Sequence, residues 1–297
     1  MSTEKKRFIL YLVIAFLTAW AAQLASMFGG AGIRSLLSVS MLFPMLAVLI
    51  VFKGLRREKT GIGWKLNLRG NGKAYLCAWF LPAGLTVVGA ALYFALFPGQ
   101  FDLSMSYLTA ATGAEGSAPP LDPVMLTIVE AASALTFAPI LNGLFAVGEE
   151  AGWRGYMTPY LMRRFGRNCG LILSGVIWAV WHAPLIVFSG YEYGVGYFGF
   201  PWTGILVMCV FTTAFGTLCT ILYEKTGSIW ASAILHGAAN AIAGLPLMFY
   251  GTERSGYLLG PTMAGLIAGI PMLVTAIVAL RRSEKKAADT SNPAEAD

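Results

Sequence analysis

Charge is scarce in these 297 residues: Asp, Glu, Lys and Arg together make up 12%, against roughly a quarter in soluble domains. That excludes an ordinary water-soluble enzyme and, with so apolar a chain, intrinsic disorder. Histidine is scarcer still, with His182 and His236 the whole supply. The four cysteines, Cys77, Cys169, Cys209 and Cys219, sit in or beside apolar stretches with no C-x-x-C spacing. They supply no zinc knuckle, redox pair or disulfide frame and read as small buried hydrophobes. No H-E-x-x-H run is present, so the usual zinc-protease helix signature is missing. All four aspartates (Asp102, Asp122, Asp289, Asp297) fall in loops or the tail, which removes the paired intramembrane aspartates of aspartyl chemistry. There is no internal repeat of motifs, which weighs against an inverted-repeat transporter. Short alternating segments separated by turns, the mark of a transmembrane barrel, are also missing.

What is present is apolar, at 57% hydrophobic residues and a mean hydropathy of +0.66. Runs near the ~20 residues that cross a bilayer recur as Phe8 to Phe28, Leu36 to Phe52, Ala74 to Phe97, Val124 to Gly148, Gly170 to Phe188, Thr203 to Tyr223, Ile229 to Phe249 and Leu258 to Leu280. The fold class expected is an all-α polytopic membrane protein, a bundle of about eight transmembrane helices with both termini cytoplasmic. That orientation puts every Lys and Arg except Arg34 and Arg254 on the side where basic residues are retained. The net charge of +6 is then explained by topology and anionic lipid headgroups, so no nucleic-acid partner is implied. The lesser reading of Lys5 to Ala21 as a signal peptide rests on its basic start and its Ala19-Trp20-Ala21. The apolar run exceeds the ~7–15 residues of a signal core. The organisation expected is three spans with their loops over residues 1–123, a core over 124–249, a last span over 250–282 and a disordered tail over 283–297. The stretch from Pro98 to Pro123 reads as a polar external loop.

A strongly polar side chain inside a span costs a few kcal/mol on insertion scales, so each is a functional candidate until a partner explains it. Both histidines lie in apolar segments, together with Glu130, Glu149, Glu150 and Asn240. Positions four apart share a helix face, which pairs Glu150 with Arg154, Trp178 with His182 and His236 with Asn240. Glu149 is rotated about 100° from Glu150 and is the carboxylate without a local cation. Glu130 is assigned an interhelical hydrogen bond. A carboxylate, two imidazoles and a carboxamide suit amide hydrolysis, with a base to activate water and donors to hold the oxyanion. Glu149, His182 and His236 are equally three ligands for one zinc ion with a fourth position left to water. Ser174 and Cys169 are weaker nucleophile candidates, because neither is four residues from His182 and a triad needs an orienting partner.

In E-E-x-x-x-R (Glu149, Glu150, Arg154), W-x-x-x-H (Trp178, His182) and H-x-x-x-N (His236, Asn240) the chain resembles the CPBP intramembrane proteases. These include the type II CAAX prenyl endopeptidases and lysostaphin-resistance and bacteriocin-immunity-like members. It departs from the family pattern at Trp178, where Phe is usual. The resemblance covers roughly Val124 to Phe249. It implies an eight-helix intramembrane endopeptidase in a prokaryotic cell membrane acting on a membrane-associated peptide or protein. Its roles carry over as Glu149 and His182 activating water, His236 and Asn240 polarising the carbonyl, and Glu150 and Arg154 holding their helix. The family has been described both as metalloproteases and as glutamate-dependent enzymes. Nothing in the pattern specifies an oligomer.

The span boundaries put Glu149 at the surface, His236 ~10 Å deep and His182 ~20 Å deep at 1.5 Å per residue. For these groups to meet, the fourth helix must run inward past Trp153 to about Tyr160. The fifth must then enter the bilayer near Ser174, with Leu161 to Asn168 as a basic interfacial connection. Two other function classes stand beside the endopeptidase. One is a non-proteolytic scaffold or immunity protein on the same fold, the other a transporter using Glu130, Glu149 and the histidines as a proton relay.

Overall fold

The computed structural model describes residues 3–29, 36–54, 60–105, 122–251 and 257–291. Arg34, Arg254, residues 106–121 of the expected polar loop and the last six residues of the tail lie outside the described residues. Among the described residues the chain is helical, with one isolated bridge between Phe101 and Tyr250.

The helices are α1 (Thr3–Phe28), α2 (Leu36–Ser40), α3 (Phe43–Leu49), α4 (Gly72–Leu96), α5 (Pro123–Leu135), α6 (Ala138–Gly152), α7 (Thr158–Phe165), α8 (Arg167–Trp181), α9 (Ala183–Ser189), α10 (Trp202–Thr226), α11 (Ile229–Ile242) and α12 (Ile270–Ser291). Among the described residues five stretches are long and apolar enough to cross a membrane: α1, α4, Arg167–Ser189 (α8 with α9), α10, and Ile229–Phe249 (α11 with its following 3-10 turn). The chain is an integral, multi-pass membrane protein. Its outward surface agrees, since Leu76, Phe80, Val87 and Val88 of α4 and Leu206 and Val210 of α10 are exposed. An apolar surface of that extent suits lipid and not water.

The count of spans is lower than the eight expected. Val124 to Gly148 is not one straight span: α5 and the α6–α7 helix meet at a 57° bend, next to Pro139 near the start of α6, where the ring removes a backbone donor. Counted as one broken span, this pair makes a sixth. Leu36 to Phe52 forms the short α2 and α3 with a turn between them, Pro44 lying in the first turn of α3. Leu258 to Leu280 is helical only from Ile270, because Gly260, Pro261, Gly265 and Gly269 punctuate its first half. Beyond Arg282, α12 runs on to Ser291 across the stretch read as a disordered tail.

Three features bring the polar residues together. First, α6 does not stop at Gly152. It widens into a π-turn over Trp153–Met157 and continues as α7 to Phe165. Such π-turns are frequent at functional sites. Second, the chain reverses at Gly166 alone (φ 82°), a backbone conformation glycine adopts without a Cβ penalty, so the expected eight-residue connection shrinks to one residue. Third, α6 and α11 pack most closely of all helix pairs, because Gly237 sits directly on the backbone of Gly143 and Pro139, where any Cβ would collide. Small residues permit this approach between membrane helices. The core between α1, α3, α6, α8, α10 and α11 is built around Trp153, Met157, Trp178, Trp181 and Phe215. Hydrogen bonds pin it at Thr158 to Ser174 (2.6 Å) and from Thr212 to the Gly175 carbonyl (2.8 Å).

Candidate active site

Glu149 and Glu150 are neighbours on α6 that face different partners, as a 100° rotation requires. Glu150 is fully buried, with Arg154 Nε 3.2 Å from its Oε2 and His236 Nδ1 2.9 Å from its Oε1. The second contact was not legible in the sequence, where Glu150 served Arg154 alone. A carboxylate oxygen only accepts, so the proton of His236 on that side lies on Nδ1 and points at Glu150. Arg154, also buried, lays its guanidinium over the Trp178 ring, 4.2 Å from the centroid, a cation–π contact. Room for it comes from Gly216, where a Cβ would stand 2.9 Å from Arg154 Nη2.

Glu149 is not the unattached carboxylate the sequence implied. Its Oε2 accepts from Trp153 Nε1 at 3.0 Å and from Trp178 Nε1 at 2.6 Å, both bonds buried. Trp153 is four residues on, one turn of the same helix, so that donor could have been read from spacing. Trp178 arrives from α8. The residue that departs from the family pattern therefore does more than shape a wall: its indole N–H bonds the carboxylate, which a phenyl ring cannot do.

His182 caps the C-terminus of α8, and its Nδ1 is 3.0 Å from the Trp178 carbonyl. A carbonyl only accepts, so Nδ1 carries the proton and Nε2 keeps its lone pair. The ring is held by aromatic neighbours. Trp181 meets it edge-on at 4.8 Å between centroids, and Tyr191 stacks parallel to it at 5.7 Å and 4°.

His182, His236 and Asn240 line one cavity of about 40 Å³, together with Trp178, Tyr191, Glu192, Phe215 and Met263 among others. A water needs roughly 10–15 Å³ of such volume, so there is room for one or a few. The i, i+4 pair of α11 puts His236 inside and Asn240 on the exposed side of the same wall. Glu149 is not among the lining residues. It stands behind the Trp178 indole, within electrostatic reach of His182.

The zinc reading does not fit these donors. Among the described residues no three His, Cys, Asp or Glu side chains converge as a metal-binding set. The physical reason is placement: His182 and His236 line the cavity with Nε2 uncommitted, but Glu149 is not on its wall, so the three do not meet around one point. Glu130 is a second correction. It is exposed on α5, and no side-chain hydrogen bond to a neighbouring helix is made among the described residues.

All six motif residues and Trp178 lie within residues 128–242, which match the family model of the Rce1-like type II CAAX prenyl endopeptidases. The likeness to that family covers this segment of the chain. Over 62 residues the chain is 42% identical to a protein of Methanococcus maripaludis named CAAX prenyl protease 2, covering 20% of this chain and 23% of that relative. The aligned stretch thus spans under a quarter of the relative's length. Sequence reasoning missed Trp153, Tyr191 and Glu192 in this segment. Tyr191 and Glu192 come from the turn after α9, and their only sequence signal is the flanking pair Gly190 and Gly194.

Proposed function

We propose that this protein is an intramembrane endopeptidase that hydrolyses a peptide bond of a membrane-anchored substrate. The observation that carries the reading is the cavity lined by His182, His236 and Asn240, with both imidazoles fixed through Nδ1 and their Nε2 atoms left for chemistry. The free lone pair of His182 Nε2 suits a base that takes a proton from water, with the Glu149 carboxylate as its electrostatic partner. Two indole donors on Oε2 leave Oε1 as the atom through which Glu149 would act.

His236 has the complementary task. To donate from Nε2 to a developing oxyanion while Nδ1 donates to Glu150, it must be an imidazolium, and Glu150 supplies the counter-charge at 2.9 Å. The Asn240 amide, one turn along α11, is a second, neutral donor. Donors fixed in a water-poor cavity stabilise a tetrahedral intermediate far more than they would in bulk water. Arg154 and the Trp178 ring hold Glu150 and Glu149 in these orientations. Substrates of the CAAX, prenyl-bearing type follow from the name of the Methanococcus relative, and an apolar surface that admits a lipid-linked peptide from the bilayer suits them.

Purified protein in lipid nanodiscs, incubated with a library of membrane-anchored peptides with and without a chelator, tests the reading. Cleavage that survives the chelator within about twofold and is lost in Glu149→Gln is the expected outcome. Cleavage abolished by the chelator would restore the metal mechanism. An unchanged Glu149→Gln variant would remove Glu149 from the chemistry, and the absence of any cleavage by the parent protein would favour the scaffold class.

A further inference from the structure

The reaction proposed above needs a proton on the departing amine nitrogen, from His182 after it has taken one from water or from a second acid on the cavity wall. An amine leaves a tetrahedral intermediate only when its nitrogen is protonated. Glu149 stands behind Trp178 and does not reach the cavity wall, while His236 and Asn240 are committed as oxyanion donors. The cavity has a second carboxyl, Glu192, which belongs to none of the motifs.

Glu192 is presented by a turn built to hold it there. It has φ 65°, a left-handed conformation that a residue with a Cβ adopts only under constraint and that is concentrated at functional sites. Gly190 (φ 66°) and Gly194 (φ 69°) flank it, and the Gly194 N–H closes the loop onto the Gly190 carbonyl at 2.6 Å. The next residue, Tyr193, anchors the turn to the segment before α12. Its carbonyl accepts from Tyr257 N at 2.8 Å, and its hydroxyl donates to the Ala264 carbonyl at 3.2 Å. The preceding residue, Tyr191, stacks on the His182 imidazole. The turn therefore holds Glu192 on the wall of the same cavity as His182.

We propose that Glu192 is a catalytic residue of this site, the acid that protonates the departing amine nitrogen. This rests on the hydrolase reading. Burial pushes the Glu192 carboxyl above the usual carboxylate range, which favours the protonated form an acid requires. The balance closes without another reactant. Water adds its oxygen to the carbonyl carbon and gives one proton to His182 Nε2. The carbon–nitrogen bond then breaks with its electron pair going to nitrogen, which takes the Glu192 proton. The proton held by His182 returns to Glu192 through cavity water, and the net change is one peptide bond and one water consumed.

The test compares two substrates with one acyl sequence in full-length protein in nanodiscs: the peptide, whose amine must be protonated to leave, and a nitrophenyl ester, whose phenolate leaves unaided. In Glu192→Gln, kcat on the peptide should fall ~100-fold or more, the range of general acid catalysis. Ester hydrolysis should stay within about threefold, Glu192→Asp should recover part of the peptide activity, and KM should change little. Equal losses on both substrates, a loss confined to KM, or an unchanged peptide rate would each overturn the proposal. Should Glu192→Gln fail to fold, Glu192→Asp gives the same two-substrate comparison with a smaller expected loss. Failure of the hydrolase reading looks different: the parent protein cleaves neither substrate, or Glu149→Gln cleaves as well as the parent, and the role of Glu192 falls with it.

Discussion

Replacing Glu150 by Gln removes the anion 3.2 Å from Arg154 Nε and leaves only a neutral amide where the carboxylate met His236 Nδ1 at 2.9 Å. Arg154 is 1% exposed, and a guanidinium does not shed its proton in a protein, so the variant must bury an unpaired cation. Breaking a buried pair from one side costs about 3–5 kcal/mol. The Trp178 face at 4.2 Å remains and offers up to about 2 kcal/mol to a desolvated cation. The expected loss is therefore near the low end, about 3 kcal/mol. Removing both charges in Glu150→Gln with Arg154→Met leaves neither ion stranded, and the double variant should lie within about 1 kcal/mol of the parent, as buried pairs replaced by apolar groups do. The readout is unfolding in mixed detergent micelles followed by tryptophan fluorescence, as a double-mutant cycle. Single effects that add in the double variant, or a Glu150→Gln loss under about 1 kcal/mol, would refute the reasoning that this pair is coupled in a dry interior.

Trp178→Phe keeps a ring under Arg154 but deletes the 2.6 Å indole bond to Glu149 Oε2. One charge-assisted bond is worth ~1.5–3 kcal/mol, so kcat should fall at least ~10-fold while the melting temperature drops only modestly. A fully active variant would mean that Trp153 alone positions Glu149. Gly237→Val drives a side chain into the backbone of Gly143 and Pro139, an overpacking that costs about 1–3 kcal/mol. Gly244→Ala, with open space around its Cβ, should leave unfolding unchanged, and equal effects of the two would contradict the close α6–α11 approach.

The membrane character and the identity of the polar groups were legible because apolar runs and lone polar residues in them are one-dimensional signals. His236 and Asn240 on one wall, and Glu150 beside Arg154, followed from four-residue spacing alone. Spacing along one helix says nothing about partners on another, which is why the Glu150–His236 bond and the Trp178–Glu149 bond were invisible. Hydropathy also overcounted spans. It averages over Gly260, Pro261 and Gly265 without sensing that they interrupt a helix, and over the bend beside Pro139. Conversely, the continuation of α6 past Trp153 to about Tyr160 was inferred from chemistry, since the depths of Glu149 and His182 had to be reconciled, and not from the hydropathy profile; the helix runs on through a π-turn to Phe165. Glu192 escaped because a single acid in a glycine-flanked turn looks like ordinary loop composition.

The central claim is that bound water attacks a scissile carbonyl in the cavity between α8 and α11. Incubating the purified protein with a cleavable membrane-anchored peptide in H2(18)O and weighing the products by mass spectrometry tests it directly. The account predicts one 18O in the new C-terminal carboxylate with the parent protein and no such product with Glu149→Gln or His182→Ala. Labelled product formed equally well by those variants would contradict it.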